Sequence, residues 1–159
     1  MISIVIPTYN SSRFMPSLLE SIFTQSVDNM EVIIVDDCSK DDTIEIVKAY
    51  PVKVIQMEKN GGPARARNRG VREAKGDIIF FLDSDVLVLD GTVREVKDYF
   101  ENNPSANCVI GVCATQPLNK GFVPTYMAMF EYIHLVSARG GKVSVFAPRC
   151  GAIKKELFH

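Results

Sequence analysis

Short apolar runs recur along the chain, at residues 2–6, 32–35, 52–57, 78–82 and 108–114. Most are rich in β-branched residues and continuously apolar rather than alternating with polar positions. That is the pattern of strands buried on both faces, as in a parallel sheet. Helical periodicity lies between the runs. Phe14, Leu18 and Ile22, with Leu19 and Phe23, share one helical face, and Pro16 sits near its start. Residues 43–47 open a second helix, with Ser39 or Asp41 as its N-cap. A third helix is expected over residues 64–75, and Val93, Val96 and Phe100 mark a fourth that stops before Asn102-Asn103-Pro104. In the third, Ala66, Gly70 and Ala74 recur every four residues. Such a stripe of small side chains lets a helix approach a sheet closely. Arg65, Arg69 and Arg72 lie on a different face, and Arg67 shares a side with Val71 and Ala74.

This alternation predicts an α/β fold, a mostly parallel, βαβ-wound sheet with helices on both faces. The region after Thr115 reads differently: a loop at 116–124, an apolar helix at 125–136, a break at Gly140-Gly141, a strand at 143–146, and the start of another helix at Leu157-Phe158-His159. One domain is expected over residues 1–159, a length that buries a substantial core.

Composition adds mainly exclusions. Apolar residues make up 47%, charged residues 23%, and the net charge is −1, so no global field draws the chain to nucleic acid or an anionic membrane. Cys38, Cys108, Cys113 and Cys150 form no C-x-x-C pair, which argues for buried thiols in a reducing cytosol rather than zinc ligands. The opening residues MISIVIPTYN lack the basic and long apolar regions of a signal peptide. No run reaches the ~18 apolar residues of a spanning helix.

In open parallel sheets, ligands bind beyond the carboxyl ends of the strands. Polar groups follow each of the first four strands: Pro7-Thr8-Tyr9-Asn10, Asp36-Asp37, Asn60-Gly61-Gly62 and Asp83-Ser84-Asp85. On an extended segment, Asp83 and Asp85 at i and i+2 would point the same way, two hard oxygen donors suited to Mg²⁺ or Mn²⁺. The tripeptide alone also reads as a turn, and Asp36-Asp37 alone also reads as a turn with a helix cap. The glycine loop running into Pro63-Ala64-Arg65-Ala66-Arg67-Asn68-Arg69-Gly70 offers a helix N-terminus and arginines to an anion. It has neither Walker nor G-x-G-x-x-G spacing, and the arginines alone read as a solvated face.

Together and in this order, four pieces resemble the family 2 glycosyltransferases, whose nucleotide-binding fold is called GT-A. They are Ile4-Val5-Ile6-Pro7-Thr8-Tyr9-Asn10, Val32-Ile33-Ile34-Val35-Asp36-Asp37-Cys38-Ser39, Asn60-Gly61-Gly62 with Ala66-Arg67-Asn68-Arg69-Gly70, and Gly76-Asp77 leading to Leu82-Asp83-Ser84-Asp85. The resemblance implies a nucleotide-sugar-binding part at 1–115 and the start of an acceptor-side part at 116–159. It implies a nucleotide-diphosphate sugar donor, UDP by family default, and a saccharide or lipid-linked acceptor. Thr8 and Asp37 match positions that contact the base, with Asp36 beside them. Arg67 and Asn68 match the motif lining the nucleotide, and Arg65 is an additional contact. Asp83 matches the residue near the ribose, and Asp85 the metal ligand. Pro7, Tyr9, Asn10, Gly62 and Ser84 complete the expected nucleotide site, with Asp83 and Asp85 as the metal pair.

The family is inverting. Its carboxylate base follows a segment like Ala147-Pro148-Arg149-Cys150-Gly151-Ala152-Ile153 and a short helix. The base is therefore expected beyond His159, and the chain is expected to be a truncated, donor-binding piece. The segment from Phe122 to Val136 falls on the acceptor side, with its lone His134 read as structural. Cytoplasmic localisation follows, at the inner face of the membrane if the missing C-terminal part associates with it. A receiver-type signalling domain would place the acid pair after the first strand, not the second. A nucleotidyltransferase of similar fold would open with a Gly-rich, Lys/Arg-containing signature, which is absent.

Overall fold

The computed structural model describes residues 1–111 and 149–158. Six strands form one sheet: β1 (Ile2–Thr8), β2 (Met30–Asp36), β3 (Lys53–Gln56), β4 (Ile78–Leu82), β5 (Cys108–Ile110) and β6 (Cys150–Lys154). Four helices connect the first five: α1 (Met15–Phe23), α2 (Thr43–Val47), α3 (Pro63–Glu73) and α4 (Thr92–Asn102). The strand order is β3-β2-β1-β4-β6-β5. β3, β2, β1 and β4 run parallel, while β6 is antiparallel to both its neighbours. The chain winds outward from β1 to β3 and then returns to place β4 on the other side of β1. The crevice between the carboxyl ends of β1 and β4 is therefore the sheet's switch point.

The apolar runs explain the layering. Ile2, Ile4 and Ile6 pack with Val32, Ile34, Phe80 and Leu82 beneath Met15, Leu18, Leu19 and Ile22 of α1, Val47 of α2, and Val93, Val96 and Phe100 of α4. The alternate residues Val5, Ile33, Val35, Ile79 and Phe81 pack on the opposite face against Ala66 and Val71 of α3 and Ala74 just past its end. The central strands β1, β2 and β4 are thus apolar on both sides because each side meets a helix.

α3 lies closest to the sheet at Gly70. A Cβ there would sit 2.4 Å from Val5 Cγ1 and 3.1 Å from Val35 Cγ2. Ala66 is fully buried and Ala74 nearly so, so the small-residue stripe does meet the sheet as expected.

Three features differ from the sequence reading. β6 is an additional strand, where a motif segment leading into a short helix was expected. Its small residues hide the pattern: Gly151 pairs with Phe81 and Ala152 with Phe80, so small side chains stand beside bulky ones. A single 3₁₀ turn, Lys155–Leu157, follows it. Second, the residue capping α2 by position is Asp42, whose side chain makes no cap bond, rather than Ser39 or Asp41. Asp41 nevertheless accepts the Thr43 amide at 3.1 Å. Third, Cys38, Cys108 and Cys150 are half-buried rather than buried. Beyond Gly111, the remainder of the 108–114 run and the elements expected at 116–124, 125–136, 140–141 and 143–146 lie outside the described residues, as do Cys113, His134 and His159.

At the amino edge of the sheet, Glu31 Oε1 accepts the Ser3 hydroxyl (2.6 Å) and the Lys75 amide (2.5 Å), and Ser3 Oγ accepts the Gly76 amide (2.8 Å). Partial burial raises the Glu31 pKa, but the Ser3 hydroxyl, the Lys75 amide and charge, and the Gly76 amide outweigh it and hold the carboxyl below its usual range.

Two predictions follow from this packing. Gly70→Ala gains about 1 kcal/mol of helix propensity, but with the added Cβ 2.4 Å from Val5 Cγ1 it overpacks by about 2–3 kcal/mol. A net drop of roughly 2–6 °C in melting temperature is expected by circular dichroism; an unchanged or raised value would contradict the close approach. Because the folded-state pKa of Glu31 is depressed, its contribution is complete above the unfolded-state value of about 4.3 and lost as pH falls below it. Between pH 7 and about pH 3 the native protein is expected to lose more melting temperature than Glu31→Gln, with the difference arising below about pH 4.3, and parallel losses would refute this role.

Candidate nucleotide and metal site

The polar residues of the carboxyl edge are wired to one another. Thr8 and Asp36, the last residues of β1 and β2, are register partners, and the Asp37 amide donates to the Thr8 carbonyl at 2.8 Å. Pro7 is a buried strand residue, whereas Tyr9 and Asn10 are exposed in the loop beyond. Asn10 adopts φ 49°, accepts the Lys40 amide on Oδ1 (2.7 Å) and donates its own amide to Ser39 Oγ (2.9 Å). It therefore ties the first loop to the second. Asp36 is buried and accepts the Ser39 amide at 3.1 Å.

Asp37 carries the largest structural task of the expected site residues. Its two oxygens accept the Gly61 and Gly62 amides at 2.8 and 2.7 Å, and its carbonyl accepts the Asn60 side chain at 3.0 Å. Gly62 holds φ 82°, a left-handed conformation favouring glycine. This corrects one expectation: the anion at the two glycine amides ahead of α3 is the protein's own Asp37 carboxylate, not a ligand's.

Of the α3 residues, Arg67 reaches the switch point. Its Nη2 donates to Asp83 Oδ1 at 2.5 Å, with side chains 15% and 29% exposed. Arg65 and Asn68 are exposed, and the Arg65 stem lies against Gly61. Arg69 pairs instead with Glu73 on the outer surface.

β4 ends at Leu82. The Val86 amide donates to the Asp83 carbonyl at 3.2 Å, so Asp83-Ser84-Asp85-Val86 forms a turn. The expectation that an extended strand aligns the two carboxylates is thus replaced: the turn sets their placement. The Asp83 amide is anchored on the Arg149 carbonyl at 3.0 Å, at the start of β6. Ser84 is half-buried and its Oγ lies 2.9 Å from Ser11 Oγ; Asp85 is exposed. No group of three His, Cys, Asp or Glu side chains capable of holding a metal occurs among the described residues. The donor set of Asp83 and Asp85 fits a hard cation that keeps most positions for water and phosphate oxygens, as Mg²⁺ and Mn²⁺ do.

Two buried polar atoms flank this edge without a partner among the described residues: Thr8 Oγ1 and Arg67 Nε. Sequence reasoning did not single out Ser11 or Thr43, and read Asp41 only as a helix cap; together these residues brace the loops. Their short polar side chains look like ordinary turn residues, and only the fold brings them together.

Residues 3–159 match the family model for "Glycosyl transferase family 2". An uncharacterized glycosyltransferase of Haemophilus influenzae is 38% identical over 99% of this chain and 54% of its own length. The poly(ribitol-phosphate) beta-N-acetylglucosaminyltransferase TarS of Staphylococcus aureus is 36% identical over 65% of this chain and 19% of its own length. The chain thus spans about half or less of these relatives. The crystal structure of S. aureus TarS 1-349 with UDP-GlcNAc superposes with a TM-score of 0.68 at 32% identity, covering 77% of this chain and 36% of that one. The Pyrobaculum calidifontis mannosyltransferase PcManGT, solved with GDP-Man and Mn²⁺, superposes at 0.78 over 98% of this chain and 45% of that one; at 23% identity the likeness is one of fold. These matches leave no support for the receiver and nucleotidyltransferase readings. With its parallel sheet, its switch-point acids and this family match, the chain belongs to glycosyl transferase family 2 and has the GT-A fold.

Proposed function

We propose that this chain binds a nucleotide-diphosphate sugar, with UDP as the nucleotide, for transfer to an acceptor hydroxyl with inversion. The observation that carries the reading is the pair of buried atoms without a partner among the described residues, Thr8 Oγ1 and Arg67 Nε, at the carboxyl ends of β1 and β4. Buried polar groups are normally bonded, and open ones at a switch point make a place for a polar ligand. UDP is favoured because the TarS structures with UDP and UDP-GlcNAc are the more similar in sequence, at 32% identity.

In this reading Thr8 and Asp37 contact the base, with Asp36 beside them. Pro7, Tyr9, Asn10, Gly62, Arg65, Asn68 and Ser84 line the nucleotide. Arg67 adds a fixed positive charge, and Asp83 lies near the ribose. Asp85, with Asp83, would hold Mg²⁺ or Mn²⁺, which supplies charge to the departing diphosphate when bound. In the transfer, the acceptor oxygen bonds to the anomeric carbon as the bond to the diphosphate oxygen breaks. The hydroxyl proton passes to a carboxylate base, and the electron pair leaves on the nucleotide. The acceptor is a saccharide or lipid-linked hydroxyl.

Calorimetry of UDP with and without Mn²⁺ tests the reading. Mn²⁺ is expected to raise UDP affinity, and Asp85→Ala to remove at least about tenfold of that gain, some 1.4 kcal/mol. Equal binding by the variant, or tighter binding of GDP than UDP, would overturn it. Thr8→Val separates ligand contact from stability. Replacing an unpartnered buried hydroxyl by an apolar isostere should stabilise the free protein by about 1 kcal/mol while weakening UDP several-fold. Loss of stability with unchanged UDP affinity would show that the hydroxyl serves the fold.

A further inference from the structure

We propose that Ser11 is a positioning residue for the metal-binding turn, acting through the hydroxyl of Ser84. This rests on the reading that Asp83 and Asp85 serve a metal-bound nucleotide. Ser11 is buried, and its Oγ lies 2.9 Å from Ser84 Oγ and 3.2 Å from the Tyr9 carbonyl. The proton count fixes the direction. A carbonyl only accepts, so the single Ser11 proton goes to Tyr9, and the Ser84 hydroxyl donates to Ser11. The central residue of the acidic turn therefore spends its proton on the loop after β1, across the switch point.

Ser11 is itself held from the other side. Its amide donates to Thr43 Oγ1 at 2.8 Å, the Thr43 hydroxyl donates to Asp41 Oδ1 at 2.5 Å, and the Ser12 amide donates to Asp41 Oδ2 at 3.0 Å. A continuous series of bonds thus runs from the start of α2, through the β1 loop, to the turn after β4. Desolvation is the largest single influence on the Asp41 carboxyl and pushes its pKa up, but the Thr43 and Ser12 side chains and amides together outweigh it and hold the carboxyl well below the usual carboxylate range. Asp85 has no hydrogen-bond partner of its own among the described residues, so the backbone turn alone sets its place. Three contacts brace that turn from outside: Arg149 on the Asp83 amide, Arg67 on the Asp83 carboxylate, and Ser11 on Ser84. Only the last lies between the two acids.

The test compares Ser11→Ala, Ser84→Ala, the double variant and Ser84→Thr with the native protein. Two quantities are read: amide hydrogen exchange at Val86 without nucleotide, and the factor by which Mn²⁺ raises UDP affinity. Each alanine is expected to speed exchange at Val86 and to cut the Mn²⁺ factor about three- to tenfold, the scale of one hydrogen bond. The double variant should be no worse than the poorer single, and Ser84→Thr should restore both readouts. A loss in Ser84→Ala with Ser11→Ala unaffected would mean that Ser84 acts through its nucleotide contact alone and not through Ser11, and would overturn the proposal, as would additive losses or unchanged exchange. If the native protein binds no UDP, the donor-binding reading falls, while exchange at Val86 still decides whether Ser11 orders the turn.

Discussion

The contact on which the rest of the site depends is the close approach of α3 to β1 and β2 at Gly70. With no side chain there, the helix backbone settles onto Val5 and Val35 at a depth that even one methyl group would prevent. Arg67 stands almost one turn earlier on that helix, and its guanidinium spans from α3 to Asp83 beyond β4. A helix lying further out would carry the arginine away from the acidic turn. Apolar packing on one face thus decides the electrostatics of the edge, since the ion pair forms only at short range in a partly desolvated setting.

Much of this was legible in the chain. Residues 78–82 read as a strand and are one, and the first three strands differ from their apolar runs by only a few terminal residues. The runs could be read because strands covered on both faces leave little choice of residue. The glycine–alanine stripe of α3 was legible for the same reason. β6 was not: Cys150-Gly151-Ala152 has weak strand character, and its identity comes from Phe80 and Phe81, to which it is paired. Propensity there gives way to tertiary fit.

At the site, the motifs located the residues but not what they do. Asp36, Asp37 and Asn10 were legible as an acidic and polar edge. Their bonds to Ser39, Gly61, Gly62 and Lys40 depend on loop geometry that no local spacing encodes. The Asp83–Asp85 pair was found for a reason that proved wrong, because a turn rather than a strand carries it. Ser11 escaped notice because a serine beyond a strand looks alike whether it faces solvent or braces another loop. The edge as a whole is a preorganised polar lattice in which the expected ligand contacts also hold one another.

The antiparallel β6 also bears on how the molecule comes together. β4 pairs with β1 early in the chain, but its other edge waits for β6, which lies beyond the whole stretch from 83 to 149. β5 pairs with β6 and must wait as well. During synthesis, the β3-β2-β1-β4 half can assemble while the hydrogen-bonding edge of Ile78–Leu82 is still open. Such an apolar, unpaired edge invites pairing with other chains until it is closed. The long sequence separation makes that closure a late event, so the strand that follows Arg149, the anchor of Asp83, is also the one that closes the open edge of β4.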